Sequence, residues 1–303
     1  MRYFALSLLL VALFSSACQS PEPPPAEEPD AIAFDGTPLF APAPDSTLME
    51  RFRLREAAFQ SSPDDVDALI WFGRFTAYIG EYADAIAIYS SGIDRWPEDA
   101  RLYRHRGHRY ITTRQLDLAI ADFETAAELI EGTENEIEPD GMPNAQGIPV
   151  STLHGNIYYH LGLAHYLNQD MPAALAAYGM SLAAGAYPDN VVSNTHWLAT
   201  IHRRMGHADA ANTVLDPISA DMEVIENHAY HQLALFYQGL ISEEDLTGGG
   251  TAGDAIRYGV AAWHLTQSDS VKARTQMESL LQEGTWASFG YLAAESDMVH
   301  LGW

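Results

Sequence analysis

The chain contains the stretch VDALIWFGRFTAYIGEYADAIAIYSSGIDRWPED at residues 66–99, and ARLYRHRGHRYITTRQLDLAIADFETAAELIE follows it at residues 100–131. The two stretches align at an offset of 34 residues, with small and aromatic residues at matched positions. A period of this length is typical of stacked helical hairpins, each of which buries its apolar face only against its neighbours. The sequence therefore predicts an α-helical solenoid. The matched pairs are Gly73 and Gly107, Ala85 and Ala119, Tyr89 and Phe123, and Gly92 and Ala126.

The small residues of this pattern allow two helices to approach closely, and the aromatic residues fill the volume beside them. In residue type and in spacing, the pattern resembles the tetratricopeptide repeat family. The resemblance implies an all-α fold, a right-handed α-solenoid of about six hairpins with terminal capping helices, over residues 47–303. The repeats are expected at residues 66–99, 100–131, 155–188, 192–220, 227–247 and 254–282, with a capping helix at residues 286–296.

The start of the chain has the features of an export signal. Arg2 precedes an apolar run at residues 4–14, which is too short to span a bilayer but suits a secretory signal. The small residues before Cys18 resemble the lipobox of bacterial lipoproteins, which implies a signal peptide at residues 1–17 and lipidation at Cys18. An ordinary cleaved signal with an incidental cysteine is the alternative. We therefore expect an exported protein, and in a Gram-negative source an outer-membrane lipoprotein facing the periplasm or the cell surface.

Residues 18–46 are rich in proline and in acidic side chains. Such a segment buries little apolar area, and this favours an extended tether. We expect the tether to hold the folded solenoid away from the membrane.

The charge of the chain narrows the range of partners. The formal net charge is −25, and Lys272 is the only lysine. A strongly acidic surface repels nucleic acid and anionic lipid headgroups at long range. The charge therefore argues against a role on DNA or RNA, while the 47% hydrophobic content is sufficient for a continuous core.

Residues 132–150, GTENEIEPDGMPNAQGIPV, interrupt the repeat between the second and third hairpins. Unstructured loops longer than about 12–15 residues are usually functional or disordered. The segment is either a tolerated surface insertion or a lid on the edge of the concave groove, with polar contacts from Glu138, Asp140 and Asn144. If the segment is a lid, deleting residues 132–150 should leave the melting temperature nearly unchanged and should weaken ligand binding.

The tetratricopeptide resemblance implies that the first helix of each hairpin lines the concave surface and exposes four of its residues there. Of the 41 acidic residues, only Asp67 falls at such a position, and arginine, histidine and aromatic residues dominate instead. Because the planar guanidinium group suits carboxylates, the groove is predicted to bind an envelope protein or peptide with an acidic or carboxylate group. The candidate groove residues are Trp71, Arg74, Arg104, His105, His108, Asn156, Tyr159, His160, His196, Trp197, Arg203 and His231.

The frequent histidines also suggest an enzymatic alternative. His105 and His108, and likewise His228 and His231, are spaced so that each pair shares one face of a helix. Neither pair belongs to an H-E-x-x-H motif, and the sequence has no G-x-S-x-G elbow and no phosphate-binding loop. We therefore predict no catalytic residue, no metal site and no cofactor.

The predicted function is a protein–protein interaction scaffold of the bacterial cell envelope. The alternative is a small-ligand receptor, or a metal-dependent or histidine-assisted hydrolase, that uses the histidine, arginine and tryptophan residues of the groove. A long open groove would favour the scaffold. Closure by residues 132–150 into a pocket around His105, His160 and His196 would favour the alternative.

Overall fold

A computed structural model describes residues 28–185 and 187–303. The predicted signal peptide, Cys18 and the first part of the predicted tether lie outside the described residues. No helix in the described ranges is both long enough and apolar enough to cross a bilayer. The described chain forms two short strands, β1 Ala31–Ile32 and β2 Pro38–Leu39, and the helices α1 Ser46–Ser61, α2 Val66–Tyr78, α3 Tyr82–Arg95, α4 Ala100–Thr112, α5 Leu116–Leu129, α6 Leu153–Leu167, α7 Met171–Ala184, α8 Pro188–Arg204, α9 Ala208–Thr213, α10 His228–Tyr237, α11 Gly250–Thr266, α12 Ser270–Glu283 and α13 Phe289–Leu301.

The fold is all-α, and α2 with α3, α4 with α5, α6 with α7, α8 with α9, and α11 with α12 pair as successive hairpins. The fifth repeat is incomplete, because α10 is followed only by a 3₁₀ turn at Glu243–Asp245. Gly249 is the N-cap of α11, and Gly250 is its first residue.

Helix boundaries follow side-chain caps that recur with the repeat. The carboxylates of Asp65 and Asp99 accept backbone N–H groups at the starts of α2 and α4, which satisfies donors that the helix itself leaves unpaired. Between the two helices of these hairpins, Gly80 and Arg114 have positive φ values of 97° and 62°. An aspartate N-cap at the start and a residue with positive φ in the turn therefore occur in each of the first two repeats.

The predicted contacts between small and aromatic residues hold the hairpins together. A Cβ atom added to Gly73 would lie 2.7 Å from the Tyr89 ring, and one added to Gly162 would lie 2.8 Å from the Tyr178 ring. Both tyrosines are fully buried. Only glycine permits this approach of the two helices, so the spacing seen in the sequence corresponds to a helix–helix contact.

We expect Gly162→Ala to destabilise the protein by about 1–3 kcal/mol, because the new methyl group would overpack against Tyr178. Gly179 is the matched control, since it is a helical glycine in the same hairpin with open space around its Cα. Gly179→Ala should be neutral or stabilise by up to about 1 kcal/mol through helix propensity. Urea unfolding followed by circular dichroism measures both. Equal effects of the two substitutions would contradict the close-contact explanation.

The first helices of the later repeats close into a ring instead of leaving a long groove. Helix α8 packs on α10 and α11, α10 packs on α11, α11 packs on α13, and α13 packs on α6. Trp197 of α8 completes the circle by donating a hydrogen bond to Tyr159 of α6 at 2.8 Å. We refer to α6, α8, α10, α11 and α13 as the inner ring. Its interior is filled by a buried aromatic core.

A polar network inside the inner ring fixes α13. Asp297 is fully buried, and its Oδ1 accepts a hydrogen bond from Arg204 at 2.7 Å. Its Oδ2 accepts from the hydroxyl of Tyr258 at 2.8 Å, and Gln169 donates to Oδ1 at 3.1 Å. Residues from α8, from α11 and from the connection between α6 and α7 thus converge on one carboxylate of α13.

Part of the predicted tether is folded. Strands β1 and β2 form a hairpin whose apolar residues pack against Trp286. The indole of Trp286 donates to the carbonyl of Phe40 at 2.9 Å, and the Phe34 amide donates to Glu295 at 2.6 Å. The prediction of an extended tether is therefore wrong for residues 30–41, because their few apolar side chains find a partner near the C-terminus.

Candidate functional site

The N-terminal ends of the inner-ring helices surround a pocket of about 490 Å³. All five helices begin at the same edge of the ring, and each contributes residues from its N-terminal half. We call this cavity the ring-mouth pocket. The residues that its helices contribute are Gly155, Asn156, Tyr159 and His160 of α6, Ser181 of the neighbouring α7, Asn190, Ser193 and Asn194 of α8, Ala229 and Tyr230 of α10, Thr251, Ala252 and Ala255 of α11, and Phe289 and Gly290 of α13.

Four predicted groove residues meet at this pocket. His108, Asn156, Tyr159 and His160 all line it. The His108 and His160 rings have centroids 4.4 Å apart, and Phe289 lies 5.6 Å from each of them. His160 Nδ1 donates to the Asn156 carbonyl at 2.6 Å. The structure therefore unites residues that the sequence placed on two different repeats.

The pocket histidines contribute no positive charge at neutral pH. Burial, together with nearby guanidinium groups, lowers the pKa of His160 to about 3 and that of His108 well below 6.5. No arginine or lysine is among the described residues that line the pocket. The prediction of a cationic groove therefore does not hold here.

Two predicted groove residues are core residues. Trp197 is 1% exposed, and its ring stacks on Tyr178 with centroids 5.7 Å apart. His196 is also 1% exposed, and its Nδ1 lies 3.2 Å from the Tyr237 hydroxyl. The expectation that they are exposed is wrong, because closure of the inner ring buries positions that an open solenoid would leave accessible.

Arg203 and His231 lie away from the pocket. The Arg203 guanidinium lies over the rings of Tyr237 and Trp263, at 4.9 and 4.6 Å from their centroids. The ring of His231 is hydrogen-bonded to the Ser219 carbonyl through Nε2 at 2.8 Å. Both predicted groove residues thus support the packing of α8 and α10.

Residues 132–150, which we call the strap, are ordered along the edge of the inner surface. Glu138 of the strap is buried, with its Oε2 3.2 Å from Arg104 Nε and its Oε1 3.6 Å from His105 Nε2. Asn156 donates to the same Oε2 at 2.8 Å. Burial lowers the pKa of His105 well below 6.5. The strap therefore neutralises Arg104 and covers His105, two predicted groove residues.

The strap also contacts the N-terminal helices and the segment between α9 and α10. Arg51 donates to the Gly141 carbonyl at 2.8 Å, and Arg74 donates to the Pro139 carbonyl at 2.8 Å. On its other side, Asn144 donates at 2.6 Å to Glu226, which lies between α9 and α10. The strap thus crosses from the N-terminal helices to the rim of the ring-mouth pocket.

The N-terminal half of the inner surface carries an arginine cluster, which comprises Arg51, Arg55, Arg74 and Arg109. Within the described residues, none of the four forms a salt bridge. Trp71, a predicted groove residue, lies between two of them, with the guanidinium groups of Arg55 and Arg74 at 4.6 and 4.5 Å from its ring centroid.

Two arginines of α4 outside this cluster are paired with acids. Arg101 bonds Asp99 and Asp67, and Arg106 forms two hydrogen bonds to Asp122. These two arginines therefore join α4 to Asp67 of α2 and to Asp122 of α5. Among the described residues, no group of three or more histidine, cysteine, aspartate or glutamate side chains is arranged to hold a metal ion.

Acid should destabilise the protein below about pH 6.5. Burial, and to a lesser extent the Arg104 and Arg203 guanidinium groups, lowers the pKa of His160 and His196 to about 3. In the unfolded chain these residues titrate near 6.5, so the unfolded state binds more protons and the free energy of unfolding falls as the pH falls. Between pH 6.5 and 5, His160→Gln should reduce this slope by up to about 1.4 kcal/mol per pH unit. The exposed His300→Gln is the control, and a pH-independent urea midpoint would contradict the argument.

The sequence reading missed several pocket residues. Asn190 and Asn194 lie on α8, but the sequence analysis does not place them among the exposed residues of that helix. Thr251 and Phe289 belong to helices that begin at Gly250 and Phe289, whereas the sequence analysis predicts that these helices begin at residues 254 and 286. The amide-rich stretch at residues 190–194 was the available signal. Its importance depends on ring closure, which the repeat pattern does not encode.

The glycine–aromatic contacts and the paired helices define an all-α solenoid of tetratricopeptide-type hairpins. No protein-family model and no curated protein matches the chain. The fold is similar to that of YrrB, a TPR protein with an unusual peptide-binding site, with a TM-score of 0.43, 15% identity, and coverage of 82% of this chain and 97% of that chain. A tetratricopeptide repeat protein from Parabacteroides merdae has a TM-score of 0.48, 14% identity, and coverage of 81% and 92%. The fold is also similar to that of the APC/C hetero-tetramer Cut9–Hcn1, with a TM-score of 0.36 and 12% identity. That match covers 82% of this chain and 46% of that chain.

Proposed function

We propose that the protein is a non-enzymatic scaffold that binds an acidic segment of a partner protein at the arginine cluster. The observation that carries this proposal is the set of four arginines without salt bridges in a chain of net charge −25. Local charges prevail at contact because salt screens the remaining acidic surface beyond about 8 Å. The Trp71 ring beside Arg55 and Arg74 adds apolar area for the partner to bury.

The setting of this scaffold is part of the proposal. With the lipobox-like residues before Cys18, the chain would be exported and anchored by a lipid, with its partner in the cell envelope. Globomycin treatment or a Cys18→Ser substitution, followed by membrane fractionation, tests the anchor. Equal amounts of wild type and Cys18→Ser in the membrane fraction would exclude it.

A second candidate function, a small-ligand receptor, is favoured by the ring-mouth pocket. The volume of the pocket lies in the range of about 300–1,000 Å³ that is common for small-molecule sites. The hydrolase version has less support, since a histidine with a pKa of about 3 is a poor general base at neutral pH.

Selection from a displayed random-peptide library tests the scaffold proposal. We expect the enriched peptides to be rich in aspartate and glutamate and to bind more weakly as salt increases. The Arg55→Glu/Arg74→Glu variant should lose at least about tenfold in affinity for a selected peptide, measured by calorimetry.

The control is Arg257→Glu/Arg274→Glu, which makes the same charge change at two half-exposed arginines in other parts of the fold. It should bind the selected peptide like the wild type, apart from a small long-range effect. Equal losses in the two variants would mean that total charge, and not the arginine cluster, determines binding. Selected peptides without acidic residues would refute the proposal.

A further inference from the structure

One ring nitrogen of His160 is an unused hydrogen-bond acceptor in the ring-mouth pocket. Because a carbonyl only accepts, the bond to the Asn156 carbonyl makes Nδ1 the protonated nitrogen and leaves Nε2 as an acceptor in the neutral ring. Nε2 has no hydrogen-bond partner among the described residues, yet it is not sealed from solvent. Since His160 is only 5% exposed and lines the pocket, this open edge faces the cavity. An unpaired acceptor there points to a ligand that donates an O–H or N–H group.

Aromatic rings flank this acceptor. The ring centroids of Tyr159 and Phe289 lie 5.7 and 5.6 Å from that of His160. Both rings line the pocket together with Tyr230, and all three are partly exposed. The pocket therefore offers an acceptor for a hydroxyl group directly beside apolar ring faces. A sugar ring carries the matching groups, because its hydroxyls project from its edge and its C–H groups form an apolar face.

The charges around the pocket disfavour an ionic ligand. Glu226 is the only aspartate, glutamate, lysine or arginine side chain among the described lining residues, and its Oε1 already accepts from Asn144. An anion would therefore find no cationic side chain in the lining. Burial lowers the pKa of His108, and the charges of Arg109 and Arg104 lower it further. A cation beside the pocket histidines would be repelled by the same two charges.

We propose that the ring-mouth pocket binds a neutral mono- or disaccharide. One sugar hydroxyl donates to Nε2 of His160, and the C–H face of the sugar packs on the rings of Tyr159 and Phe289. Further hydroxyls meet neutral side chains such as Asn227 and Thr251, which line the pocket and are exposed. The inference rests on the receptor candidate and names its ligand class. It does not depend on the arginine cluster.

Calorimetry on the full chain tests the ligand class. The probes are neutral mono- and disaccharides, and the comparison set contains free amino acids, small amines and small carboxylates. We expect at least one saccharide to bind and the charged probes to show no binding. If no probe binds, the saccharide proposal and the receptor candidate both fail.

Substitutions of two phenylalanines locate the binding site. Phe289→Leu keeps an apolar side chain but removes the ring, so it should weaken saccharide binding about three- to tenfold. Phe236→Leu is the matched control, because Phe236 is also partly buried but packs on Trp263 and does not line the pocket. It should bind like the wild type, and equal affinities in the two variants would overturn the assignment. If only charged probes bind and Phe289→Leu weakens them, the saccharide class is overturned while the receptor candidate stands.

Deoxy analogues of the bound saccharide test the role of His160. Removing the ligand hydroxyls one at a time should identify one whose loss weakens binding at least about tenfold, because Nε2 is then left unpaired. The absence of such a hydroxyl would overturn the proposal. His160→Asn keeps a donor for the Asn156 carbonyl and removes the acceptor at Nε2, so this variant should bind the parent and the deoxy ligand equally. A tenfold difference that persisted in His160→Asn would also overturn it.

The arginine cluster provides the last comparison. The Arg55→Glu/Arg74→Glu variant should bind the saccharide like the wild type, since neither residue lines the pocket. Failure of the saccharide proposal is therefore distinguishable from failure of the scaffold proposal.

Discussion

Asp297→Ala is expected to destabilise the protein by about 3–5 kcal/mol, which is the usual effect of removing one partner from a buried ion pair. The remaining guanidinium of Arg204 would stay in the ring interior, where its side chain is 11% exposed. The Tyr258 hydroxyl would lose its acceptor, and the Gln169 amide would lose one. Because these groups lie on α8, on α11 and in the connection between α6 and α7, the substitution should also loosen the closure of the inner ring. Urea unfolding followed by circular dichroism measures the loss.

A surface ion pair provides the matched control. Arg257 and Glu283 are joined at 3.1 Å, but their side chains are 41% and 64% exposed. Glu283→Ala should therefore cost only about 0–1 kcal/mol, since water replaces the lost partner. If Asp297→Ala were as mild as Glu283→Ala, the carboxylate would not be the centre that fixes α13.

Glu138→Ala is expected to destabilise the protein by about 3 kcal/mol, although Glu138 lies on an insertion. The substitution leaves Arg104 buried without its carboxylate, and it removes the acceptor of the Asn156 amide. Deletion of residues 132–150 should lower the melting temperature for the same reason. This differs from the expectation for a separable lid, whose removal would leave melting nearly unchanged.

Glu136→Ala is the control within the same segment, because Glu136 is exposed and its side chain forms no hydrogen bond or salt bridge with a described residue. It should change the free energy of unfolding by less than about 0.5 kcal/mol. Restoring stability to Glu138→Ala by a second change, Arg104→Met, would confirm that the unpaired charge causes the loss. If Glu138→Ala were neutral, the strap would be held by its backbone contacts alone.

The repeat period predicted the hairpins well. Gly73 with Tyr89 and Gly107 with Phe123 are local pairs, since each lies within one hairpin and depends only on helical spacing and on the volume of the side chains. The capping aspartates before α2 and α4 are also local signals. Contacts between residues this close in sequence are determined by the sequence of one hairpin.

The candidate site was predicted only in part. The sequence predicts six of these residues as exposed groove residues. Four of them meet at one pocket, namely His108, Asn156, Tyr159 and His160. The other two, Trp197 and His196, are core residues. The difference arises because exposure on a first helix depends on what faces it across the ring.

The sequence by itself determined the all-α hairpin architecture, the segregation of arginine and histidine onto the first helices, and the strap as an exception to the repeat. The tertiary structure alone decided that the first helices close into a ring, that the strap neutralises Arg104, and that the arginine cluster lacks acidic partners in the described chain. The physical reason is distance along the chain. The pairs Arg204 with Asp297 and Arg114 with Glu295 join residues far apart in sequence, and burial selects them only once the helices have stacked.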